Sequence, residues 1–327
     1  MGACGNFEGE SSALHHTGWS RFVSNRKEVF RRTTAGSAFC LRPPHPPSAR
    51  RTSDLRREAD GISFDPPFEF CFPFKMGGET KRDAADFPAW HRWDRKFALV
   101  YILAAWGAIL IGFYPSVSDR YLGKADYPAP AILQLHVFAF TAWMCLLTVQ
   151  IILIRAGHQN LHKRLGIAAA FMVPILAVTG VGAELASQRF YSPKYPENLQ
   201  FFIAPLVQML VFSICATMAF LLRKDSAAHK RLILLSTSMI LVAAYNRWWG
   251  EGLYQLFGDD FWGMIVHNFA GPNVLIAAAL AYDVISRRHI HWVHSSMVPA
   301  ILLAELATSF VYHHPAWPPI ARRLVGI

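Results

Sequence analysis

Imidazole is the side chain best suited to hold haem iron or another transition metal. Four histidines of this chain fall in or beside long apolar runs. His136 lies five residues after Ala131, where one run begins, and His267 lies five residues after Trp262, where another begins. At the helical rise both sit roughly 7–8 Å below the same end of their helices. His162 and His229 open runs at the other end, in the matching segments His162-Lys163-Arg164-Leu165 and His229-Lys230-Arg231-Leu232. The four sort into an outer pair, His136 with His267, and an inner pair, His162 with His229. Two imidazoles on facing helices at one depth could grip a b-type haem from both sides, and two such pairs could relay electrons across a membrane. In that reading all four histidines are metal ligands, and Lys163, Arg164, Lys230 and Arg231 neutralise inner propionates. Arg247, roughly 27 Å along its helix from His229, reaches the outer level. The plainer reading makes His162 and His229 interfacial residues of a basic helix flank, and His136 and His267 hydrogen-bonding partners of neighbouring helices.

Other clusters point to other chemistry. His289, His291 and His294 fall within six residues, with Asp283 nearby, and such a set could hold zinc and activate a water against a lipid ester or amide. Membrane hydrolases of this kind use a HxxxH pair, which is absent from the cluster; a basic, aromatic interfacial loop accounts for it more simply. Glu305 is embedded among Leu302, Leu303, Ala304 and Leu306, and an ionisable group at such depth is costly. Asn268, Gly271, Pro272 and Asn273 interrupt the run one turn beyond His267, and Pro174 interrupts another; freed carbonyls of this kind can line a path or simply fit a bundle. With Glu305 and Arg247 they support a third reading, a small-molecule or proton-linked transporter.

The elements that must position these residues are apolar helices. Of 327 residues 53% are hydrophobic and 17% charged, against roughly 25% charged in ordinary soluble domains. Seven runs stand out: Phe97–Tyr114, Ala131–Ile154, Leu165–Ser187, Phe202–Leu222, Leu232–Tyr245, Trp262–Val284 and Met297–Val311. About 20 helical residues cross a bilayer, so the expected fold is all-α, a seven-helix integral membrane domain over 90–327. One set of flanks carries Arg92, Arg95, Lys96, Arg155, Lys163, Arg164, Arg223, Lys224, Lys230, Arg231, Arg287 and Arg288. The alternate set carries fewer: Arg120, Lys124, Arg189, Lys194, Arg247, Arg322 and Arg323. Basic residues collect on the cytoplasmic side, which puts the N-terminus inside and accounts for the net charge of +10 without nucleic acid. Residues 1–89 are proline- and arginine-rich, without a spanning run, and read as a disordered or spurious extension, with Met76 as an alternative start. The five cysteines form no CxxC pair.

The layout Leu133-Gln134-Leu135-His136, a following Trp143, then Leu161-His162-Lys163-Arg164-Leu165-Gly166 and Ala228-His229-Lys230-Arg231-Leu232 resembles a large group of uncharacterised bacterial polytopic membrane proteins. The resemblance covers most of 90–327 and implies a multi-pass protein of the bacterial inner (plasma) membrane. The His-basic-Leu-Gly element is also similar, more distantly, to helix openings of the two-haem transmembrane cytochromes b. That similarity implies haem b as cofactor and electron exchange with a redox partner or quinone. In those proteins the ligands sit on four successive helices, whereas the fourth run here has no histidine. The sequence leaves the oligomeric state open.

Overall fold

The computed structural model describes residues 87–327, and they form helices joined by short loops. The expectation for 1–89 falls almost wholly outside the described residues. Six helices are long and apolar enough to cross a membrane. They are α1 (Asp94–Tyr121), α2 (Ala131–Arg155), α3 (Gln159–Tyr191), α4 (Asn198–Leu221), α7 (Phe261–Arg287) and α8 (Trp292–His313). Between α4 and α7 stand α5 (Ser226–Ile240) and α6 (Val242–Phe257), which reach span length only together, across a bend of 42°. A short amphipathic helix, α9 (Trp317–Val325), closes the chain.

Local chemistry explains most of the breaks. Gly157, at φ +80°, ends α2 in the left-handed conformation that glycine adopts without penalty. Asp225 starts α5 by accepting from the backbone N–H groups of Ala227 and Ala228 at 2.9 and 3.1 Å, and Asp260 starts α7 in the same way. The bend at Leu241 follows two hydroxyls that bond back into the helix, Ser236 Oγ to the Ile233 carbonyl and Ser238 Oγ to the Leu234 carbonyl. Such back-bonding bends helices. Beyond it Asn246–Gly250 forms a π turn.

Two antiparallel hairpins, α2–α3 and α4–α5, make the most extensive helix pairs, and α3 lies against α4. This packing brings the starts of α3 and α5 to one end of the bundle. The interior mixes small residues (Ala105, Ala108, Ala216, Ala219 and Ala228) with Phe212, Met144, Leu176, Leu232 and Met239, all nearly fully buried. Small residues allow the close approach on which helix association in lipid depends. At Gly271 a Cβ would overlap the Tyr245 ring, and at Gly112 it would overlap the Ala244 carbonyl. The outward faces carry Val100, Leu103, Leu110, Phe138, Phe171, Val178 and Leu210, each more than half exposed. In water such a surface would aggregate; against acyl chains it is matched.

Candidate functional site

At the basic end, the opening turns of α3 and α5 bring His162 and His229 together, with ring centroids 6.4 Å apart and planes at 83°. A metal–nitrogen bond of about 2 Å on each side would put trans imidazole centroids roughly 6 Å apart. The His229 Nδ1–H donates to the Ala219 carbonyl at 2.8 Å, which turns Nε2 outward as a ligand imidazole requires. His162 Nδ1 is buried and without a partner.

Both rings line a cavity of about 1000 Å³ whose walls come from α1–α5, α7 and α8. Near His162 the wall is kept low by Gly166, Ala169 and Ala170. A Cβ on Gly166 would meet only Gln150 Nε2, at 3.8 Å, so this wall has open space beside the imidazole. Trp143 Nε1, Gln150 Oε1 and His294 Nε2 belong to lining residues, are buried, and have no hydrogen-bond partner. Buried polar atoms normally find one. Two imidazoles and three unpartnered polar atoms thus share one cavity.

Two ion networks brace the cavity. Arg231 makes a bidentate contact with Asp283 through Nε and Nη2, and His294 Nδ1 lies 2.7 Å from the same carboxylate. Asp94 accepts from Lys230 and Arg287 at 2.9 Å and from the Tyr282 hydroxyl at 2.5 Å. Phe87 lies under the Arg231 and Arg287 guanidinium groups, at 4.4 and 5.1 Å from ring centroid to Cζ. Lys230 and Arg231, assigned by the sequence to propionates, are thus bound to acids. Lys163 and Lys224 line the cavity and have no ionic partner among the described residues. Arg164 is exposed and is not part of the lining.

The outer pair is not brought together. His136 faces α3, with Nδ1 3.4 Å from Thr179 Oγ1. His267 is held on the other side of the molecule's helix order by Asp259 at 3.1 Å and Asn268 at 3.0 Å, with Tyr254 edge-on. Arg247 is exposed, bonded to the Ala243 carbonyl and placed over Phe113. The zinc candidates also diverge. His291 caps α8 through Nδ1, His294 is bound to Asp283, and His289 sits beside Phe87. Among the described residues no three His, Cys, Asp or Glu side chains converge on a metal position.

The sequence sets Asp283 beside the His289, His291 and His294 cluster as a possible metal ligand; the structure instead gives its carboxylate to Arg231 and His294. The available signal was the acid itself: a lone Asp near the end of α7 at the level of Arg231 calls for a cation. No protein-family model matches the chain, and neither a curated protein nor a solved structure does.

Proposed function

We propose that this is a bacterial inner-membrane electron carrier that holds haem b between His162 and His229. In this reading α5 and α6 together make a seventh span, and the N-terminus and the basic end lie in the cytoplasm. One observation carries the reading: two imidazoles from separate helices meet edge-on, with ring centroids 6.4 Å apart, on the wall of one large cavity. A haem bound there supplies a one-electron couple. His229, oriented by the Ala219 carbonyl, and His162 would supply the nitrogens that hold it. Lys163 and Lys224 neutralise carboxylates at the rim, while Gly166, Ala169 and Ala170 make room for a planar group. The partner of choice is a quinone: a carbonyl oxygen of the oxidised form would accept from Trp143 Nε1, and a hydroxyl of the reduced form would donate to Gln150 Oε1 or His294 Nε2.

The test is a reduced-minus-oxidised absorption spectrum of purified protein, before and after haem supplementation. The expected result is a b-type signal that disappears in His162→Ala and in His229→Ala. Protein that stays colourless after supplementation overturns the proposal.

A further inference from the structure

A second buried group plays no part in that site. Glu305, in the middle of α8, is 2% exposed. Asn273 Nδ2 of α7 donates to its Oε2 at 2.8 Å, and its Oε1 is buried with no partner. Among the described residues no cation pairs with it. The α4 span, packed on the other flank of α8, contains no acid, histidine, lysine or arginine. On α7 the nearest titratable side chains are His267 and Asp283, roughly 9 and 15 Å away along the axis. On α5 they are His229, Lys230 and Arg231 at the basic end, and on α9 Arg322 and Arg323 at the opposite end. An unpaired carboxylate in such surroundings costs several kcal/mol, a cost that the protonated acid does not carry.

The two directions away from Glu305 differ. Toward the basic end the buried residues of α7 and α8 are Leu275, Ile276, Ala279, Val298 and Ile301, all apolar, until the Asp283–His294 pair at the far end. Toward the end of α8, Glu305, Ser309 and His313 recur every four residues and share a face. Ser309 Oγ donates to the Phe261 carbonyl at 2.7 Å and stands 3.5 Å from His313 Nδ1. His313 Nε2 bonds the Asp259 carbonyl at 2.9 Å. The Asp259 carboxylate is 36% exposed and holds His267 and the Tyr312 hydroxyl. A line of hydrogen-bonding groups therefore runs from solvent to within one helical turn of the acid, a rise of roughly 6 Å.

We propose that Glu305 is an exchangeable proton site inside the apolar layer, loaded from the end at which α8 finishes through Asp259, His313 and Ser309. The inference does not depend on haem. Its probe is dicyclohexylcarbodiimide, which enters apolar regions and reacts with neutral carboxyl groups. The acid proton passes to one carbodiimide nitrogen as the carboxyl oxygen adds to the central carbon. The acyl group then shifts to the other nitrogen, leaving a stable N-acylurea with nothing released.

Haem-free protein in uniformly oriented proteoliposomes would be treated with the reagent, with the pH of the two faces set independently, and mapped by peptide mass. The expected result is an adduct on the peptide carrying Glu305, lost in Glu305→Gln. Its formation in the unaltered protein slows when pH is raised at the α8 C-terminal face and is indifferent to the other face. Ser309→Ala should slow it further. Absence of the adduct from the unaltered protein, or a rate that follows the pH of the basic face, overturns the proposal. The sidedness measurement needs no variant and decides the matter if a substitution fails to fold.

Discussion

The two ends of the bundle carry similar polar residues and use them differently. At the basic end, His162 and His229 meet beside a cavity, and Asp94 and Asp283 are each shared by two basic side chains. At the opposite end His136 and His267 are at matched depth, yet each is satisfied locally by Thr179, or by Asp259 and Asn268. Matched depth is therefore insufficient for a shared ligand. What separates the ends is a void with small residues at its edge and imidazole nitrogens left without protein partners.

The sharpest way to break this contrast is to remove imidazoles one at a time. His162→Ala or His229→Ala is expected to abolish haem binding, whereas His136→Ala and His267→Ala leave the spectrum intact. Loss of the signal in all four variants would mean that the ends act as one. The next largest difference lies in the ion networks. Asp283→Asn leaves the buried Arg231 and His294 without their carboxylate, and breaking a buried pair costs about 3–5 kcal/mol. Asp259→Asn breaks a half-exposed contact worth at most about 1 kcal/mol. Thermal unfolding in detergent should show the first as a large drop in midpoint and the second as a small one.

Six spans were legible because apolar runs of bilayer length stand out, and the repeated His-Lys-Arg-Leu element marked two helix openings that the fold brings to one end. The bend at Leu241 was hidden inside the run Leu232–Tyr245, and Ser236 and Ser238 were its one sign. Which histidines meet was not legible. Counting residues fixes height along a helix, but rotation about the axis depends on packing against neighbours. The same limit hid that Asp283 is shared by Arg231 and His294. The contact with His294 comes from the turn between α7 and α8, where Arg288 at φ +54° redirects the chain.

Glycines extend the contrast to smaller effects. A Cβ at Gly271 overlaps the Tyr245 ring, so Gly271→Ala overpacks the α6–α7 contact and should cost about 1–3 kcal/mol. Gly166→Ala meets open space, leaves stability unchanged, and narrows the cavity beside His162. Weakened haem binding with an unaltered unfolding midpoint is the expected signature of Gly166→Ala. An unfolding midpoint lowered as much as that of Gly271→Ala would place Gly166 in a packed contact and remove it from the cavity wall.

The smallest effect concerns His291, which lies in the loop between α7 and α8. Burial, and then the charge of Arg231, hold its imidazole down to about 4 from an ordinary 6.5. A proton that binds the unfolded chain more readily than the folded one destabilises the fold as pH drops. The contribution of His291 is therefore complete above pH 6.5 and declines as pH falls from there toward 4. Between pH 7 and 5.5 the loss amounts to about 1 kcal/mol. His291→Asn is the informative variant: asparagine is also a good helix cap, so it can replace Nδ1 as acceptor for the Val293 N–H while removing the titration. Stability measured across that window should fall in the unaltered protein and be flatter in the variant. Equal slopes would show that the pH response belongs to other groups and that the loop between α7 and α8 opens before His291 is protonated.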